Sequence, residues 1–291
     1  MKTKPPFPSS LLFAASALML VILSLACSLG APTAAAPQPV SAETEDAGFP
    51  TDTPSPAPNA LPTGTVEDLV SHCPTAEEIA SVNADLTLQF DADPTAGVLV
   101  CTAADGSADL TRLQERAYQA VLMMKKIPFD QPLPWTDLPL YDWFVHAIDG
   151  IRFRGDIETS GCCDPANFIN VQTANLSALQ TNRWLDPSMG SGLRDLMVLF
   201  VHEARHNEGY LHTCGENSNM DNTAAEMGAW GVQYQLEMWL AYHTDRNFYR
   251  SLDTAPTYYQ EMSLGSANFL RETRFCAEPA ATPGPTPTLF P

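Results

Sequence analysis

The alternation of apolar and polar positions marks a folded centre between two flanks of a different kind. Over residues 109–126, Leu110, Leu113, Ala117, Ala120, Val121 and Met124 recur at helical spacing, a stripe that Pro128 ends. A Pro-rich irregular stretch follows through Pro132, Pro134 and Pro139. Residues 144–148 and 151–154 flank Asp149-Gly150, a pair suited to a two-residue turn, and predict a β-hairpin. Phe168, Ile169 and Val171 predict a strand within residues 167–172. Leu193, Leu196, Met197, Leu199 and Phe200 predict a helix over about residues 192–207, with Ser191 as its N-cap. A second helix is predicted over about residues 222–244. There Trp230, Tyr234, Met238 and Trp239 fall at helical spacing and are expected in the core. Strands first and helices later argue for an α+β domain with a small mixed or antiparallel sheet and a long C-terminal helix.

Composition sets the limits of that domain. Apolar residues make up 45% of the 291, enough for a real core. Residues 28–65 are dominated by Ala, Pro, Thr and Ser and predict a disordered tether; residues 278–291 repeat that composition as a tail. The folded unit is expected over residues 66–277. With 34 acidic and 15 basic residues the formal charge is -19, which repels phosphate backbones and argues against nucleic-acid binding.

Residues 1–27 read as an export signal. Lys2 and Lys4 precede an apolar run from Leu11 to Ala26, shorter than the roughly 20 residues a bilayer span requires. The run ends in Leu23-Ser24-Leu25-Ala26-Cys27-Ser28, which resembles the lipobox of bacterial lipoproteins. The resemblance implies lipidation of Cys27 and attachment to the cell membrane from outside the cytoplasm; secretion is the alternative. Export places the other six cysteines in an oxidising compartment, where an even number predicts disulfides. The expected pairs are Cys73 with Cys101, and Cys214 or Cys276 with one of Cys162 and Cys163.

The first C-terminal helix carries His202-Glu203-Ala204-Arg205-His206, an HExxH motif. Residues four apart stack one turn above each other, so both imidazoles reach one ion. Glu203, beside the first of them, is placed to take a proton from water at the metal. The expected cofactor is zinc (Zn2+), whose catalytic sites use three protein ligands and leave a fourth position open. The expected third ligand is His212, and Glu226 is the alternative.

Extending the motif to His212 gives HExxHxxGxxH, with Gly209 at the glycine, and this resembles the metzincin superfamily of zinc endopeptidases. The resemblance spans residues 202–220. It implies a sharp turn at Gly209 that returns His212 to the metal, and a Met-turn at Asn217-Ser218-Asn219-Met220. Glu226 lies 20 positions after His206, a spacing similar to that of the gluzincins, where a glutamate on a following helix completes the site.

What these resemblances imply is a single zincin-like domain and a metallopeptidase that cleaves peptide or protein substrates, with Glu203 as general base. The alternative is a non-catalytic zinc-binding surface lipoprotein, favoured if the Cys214 thiolate closes the coordination shell. Plainer expectations attach to other residues. His146 is structural or exposed, His243 faces the helix dipole, and Arg205 forms a surface pair. Tyr210 is a minor candidate for stabilising an oxyanion.

Overall fold

The computed structural model describes residues 64–90, 113–173, 184–185, 192–251 and 254–277. The export signal, Cys27, most of the tether, Cys101, Ser191 and the tail lie outside the described residues. Helices and strands are mixed in one core. In chain order they are α1 (Val66–Ser71), α2 (Ala76–Asp85), β1 (Thr87–Phe90), α3 (Leu113–Lys126), α4 (Leu140–Ala147), β2 (Gly150–Arg154) and β3 (Phe168–Gln172). Then come α5 (Leu193–Asn207), α6 (Ala229–Tyr242) and α7 (Pro256–Thr273). Among the described residues no helix is long and apolar enough to cross a membrane.

The hairpin expected around Asp149-Gly150 does not form, and the three described strands pair in parallel, with one isolated antiparallel bridge, Gly161 to Asn170, beside β3. The sheet order is β1-β2-β3, with Ile151 registered against both Leu88 and Ile169. Residues 140–147 are helical because Leu140, Tyr141, Phe144 and Ala147 fall on one helical face and are all buried. Asp149 and Gly150 then begin the central strand: Asp149 N–H donates to Asn167 O at 3.0 Å, and Thr87 N–H donates to Asp149 O at 3.0 Å. Gly150 is required by close approach. An added Cβ there would lie 2.3 Å from Thr87 O and 2.5 Å from the Phe168 ring. Gly150→Ala is therefore expected to destabilise the fold by about 1–3 kcal/mol or more, read as a lower urea midpoint.

Helix α5 runs through the middle of the core. The Phe200 ring meets Phe153 of the sheet edge-on at 6.0 Å and stacks on Phe144 of α4 at 6.4 Å. Its first turn is closed by Gly192 N–H donating to Asp195 Oδ2 at 3.0 Å. The second predicted helix is shorter than expected. A 3-10 turn (Ala224–Glu226) and Met227 in the left-handed region precede α6, which starts at Ala229. Its buried face is Val232, Leu236 and Leu240, whereas Trp230, Tyr234, Met238 and Trp239 are only half-buried. The aliphatic row and the aromatic row share the same periodicity, and the aliphatic one faces the core.

Candidate metal centre

The site starts from the buried end of α5. His202 and His206 lie one turn apart on this helix, both nearly enclosed, with ring centroids 4.9 Å apart. The helix stops at Asn207, and Gly209 adopts φ +91°, a backbone conformation glycine takes without strain. That turn returns the chain toward α5. The His212 ring lies 4.5 Å from His206 and 5.3 Å from His202. One ligand atom from each of the three imidazoles lies within 4.8 Å of the other two. Glu226, the rival third ligand, is exposed on the 3-10 turn and accepts from Asn222 Nδ2 at 3.1 Å; it is not part of this cluster.

Neighbouring groups fix how two of these rings are presented. His206 Nδ1 lies 2.7 Å from Tyr210 O, and a carbonyl can only accept, so Nδ1 carries the proton and Nε2 is left as a lone-pair donor. His212 Nδ1 lies 2.8 Å from Asp221 Oδ1, which leaves its Nε2 free in the same way. His202 Nδ1 is buried and has no hydrogen-bond partner among the described residues, although the Gln233 side chain interacts with this imidazole. Burial, and then the neighbouring imidazoles, holds His202 well below the ordinary histidine range. Burial also lowers His206. Burial therefore favours the neutral form of His202 and His206, which is the form that binds a metal. Three imidazoles and one unpartnered ring nitrogen fit zinc, whose usual protein ligands include imidazole.

Asp221 holds the arrangement together. It is buried, and its Oδ2 accepts Trp230 N–H at 2.9 Å and Gly231 N–H at 3.1 Å, so one carboxylate orients His212 and caps α6. Its own backbone is bonded on both sides, by Asp221 N–H to Arg274 O and Cys276 N–H to Asp221 O, each 3.0 Å. Asp221→Ala is expected to weaken zinc binding by about 10–100-fold and to cost about 1 kcal/mol of stability through the lost cap. Paired metal titrations and melting curves measure both effects.

Glu203 lines the same cleft as the three histidines, a space of about 850 Å³. Burial pushes its carboxyl up to about 7, so it exchanges a proton near neutral pH. The cleft wall opposite α5 is formed by residues 159–162. Gly161 pairs with Asn170 of β3 through two hydrogen bonds, of 2.8 and 2.9 Å.

Several expectations are corrected here. Cys214 is bonded to Cys276, and Cys162 to its neighbour Cys163, so the expected cross-pairing between the two sets is absent. The reason is local: residues 214 and 220 pair, and Asp221 bridges to Phe275, which brings Cys276 beside Cys214. Cys73 is disulfide-bonded; its expected partner, Cys101, lies outside the described residues.

Arg205 is not a surface pair. It is buried, donates through Nε to Met227 O at 2.8 Å and through Nη1 to Glu208 Oε2 at 2.7 Å, and its guanidinium carbon sits 3.5 Å from the Tyr210 ring centroid. The ring of Tyr210 therefore faces Arg205, and its carbonyl is what serves the site. Met220 is half-buried in the loop joining His212 to α6, where its Sδ crowds Gly215. The ring packed on the histidines is Trp230, 4.2 Å from His202 and stacked 5.5 Å from His212. Its place in an aromatic row disguised that role. His146 is exposed, now on α4, and His243 ends α6 with Nδ1 2.9 Å from Asp130 Oδ1.

No family model matches the chain, and no curated protein or solved structure matches it either.

Proposed function

We propose that the chain is an exported zinc-dependent peptidase of metzincin-like type, in which His202, His206 and His212 hold the metal and Glu203 is the general base. One observation carries this reading: three imidazoles each present a ligand atom within 4.8 Å of the other two, in a cleft that Glu203 also lines. A zinc ion there supplies a Lewis acid that polarises a carbonyl and lowers the pKa of water to about 7. Glu203 takes the proton from the attacking water and later passes it to the leaving amine. Three protein donors would leave the fourth position of a tetrahedral zinc for water or substrate.

The peptide substrate is supported by a cleft of about 850 Å³ lined by backbone of residues 159–162 as well as by the three histidines. Export is supported by the disulfides, which persist in oxidising compartments. The same disulfides weigh against a closed, non-catalytic zinc site, because the sulfur of Cys214 is bonded to Cys276 and is not available as a thiolate ligand.

The test combines metal analysis of the purified protein with cleavage of a mixed peptide library. The expected result is close to one zinc per chain, cleavage lost on chelation, and cleavage restored by added zinc. Full zinc occupancy with no peptide cleaved would refute the peptidase reading and leave a binding protein.

A further inference from the structure

The histidine cleft continues into a second cavity of about 450 Å³, lined on one side by Met262, Gly265, Phe269 and Leu270 of α7. Arg274 lines both spaces, together with Trp230. Its guanidinium carbon lies 4.4 Å from the centroid of the Trp230 ring, and that ring lies 4.2 Å from His202. One indole therefore separates this cation from the candidate metal centre.

Arg274 is held at its backbone and has no ion-pair partner among the described residues. Its backbone N–H donates to Leu270 O at 2.8 Å and its carbonyl accepts from Asp221 N–H at 3.0 Å, two residues before the Cys214–Cys276 disulfide. Its Nε is buried and has no hydrogen-bond partner among the described residues. Two carboxylates share the lining of the second cavity with Arg274, and both face Arg194. Asp195 accepts from Arg194 Nε at 3.0 Å, Arg194 Nη2 at 2.5 Å and Gly192 N–H at 3.0 Å, and Glu237 Oε1 lies 3.8 Å from Arg194 Nε. A guanidinium with no acid paired to it among the described residues, in a partly enclosed cleft, is poorly compensated by packing alone.

We propose that Arg274 is the specificity-determining residue of the cleft. It receives a carboxylate of the bound peptide, from an acidic side chain or from a free C-terminus, close to the bond held at the histidines. The planar guanidinium offers paired donors that match a carboxylate, and its fixed backbone limits the ordering cost of binding. This proposal rests on the peptidase reading above.

The test is binding, measured by calorimetry on the zinc-loaded full chain carrying Glu203→Gln. The probes are an uncharged, amidated peptide of about ten residues, versions with one Glu at each position in turn, and the neutral peptide with a free C-terminus. At least one carboxylate peptide is expected to bind about tenfold more tightly than the neutral one, and which one gains identifies the source of the carboxylate. Arg274→Gln should remove that preference, read as the ratio of carboxylate-peptide to neutral-peptide affinity on zinc-matched samples; Arg274→Lys should keep part of it.

Equal affinities across the set, or a preference that persists in Arg274→Gln, would overturn the proposal. Carboxylate-selective binding without cleavage by the unsubstituted chain would sink the peptidase reading alone. If no peptide binds at full zinc occupancy, both fall.

Discussion

Glu203→Gln is expected to lower peptide hydrolysis by about 10²–10⁴-fold and leave zinc content unchanged. The side chain lines the cleft beside the histidines but is not one of the three converging donors, so its loss removes a proton carrier and not a metal ligand. The amide matches the carboxylate in shape and fits the same enclosed space, so the packing of α5 is kept. A carboxyl raised by burial to about 7 can both accept and return a proton near neutral pH, whereas an amide can do neither. Single-turnover assays on zinc-matched samples measure the effect. Full activity in the variant would remove Glu203 from the mechanism.

The second large effect separates the two candidate third ligands. His212→Ala is expected to abolish stoichiometric zinc binding, and Glu226→Ala to leave it intact. Removing the His212 imidazole leaves two donors from one helix and strands Asp221, a buried carboxylate that would lose the ring it orients. Glu226 is exposed and bonded to Asn222, so its truncation touches neither the cluster nor the cap of α6. Competition titrations with a chromogenic chelator give both affinities. Loss of zinc in Glu226→Ala with retention in His212→Ala would reverse the assignment.

The two predictions rest on residues that were unequally legible in the sequence. His202 and His206 were readable because a four-residue spacing on an apolar helix has one geometric meaning. His212 was readable only as a competitor, since its place depends on the turn at Gly209 and on Asp221, which has no marker in the sequence near the motif. Trp230 was hidden by its neighbours: Tyr234, Met238 and Trp239 continue its row, and nothing in that row shows that its first member leaves the core for the histidines.

The fold was legible at the level of mixed helices and strands, and it failed where short apolar runs are ambiguous. Residues 144–148 form the end of a helix because the deciding residues, Leu140 and Tyr141, lie upstream, and Asp149-Gly150 enters a central strand instead of turning. Helices α1, α2 and α7 were not predicted, although Thr75 and Glu78 form a capping box at the start of α2 and Pro256 begins α7. The disulfides depended on pairings between distant segments, which spacing along a chain does not encode.

The centre itself can be read by X-ray absorption at the zinc edge on the purified full chain. The expected first shell is three imidazole nitrogens at about 2.0–2.1 Å and one further light-atom donor, with the imidazole signal reduced by one ring in His212→Ala. A shell containing sulfur at about 2.3 Å, or one that keeps all its imidazoles in His212→Ala, would contradict the three-histidine site.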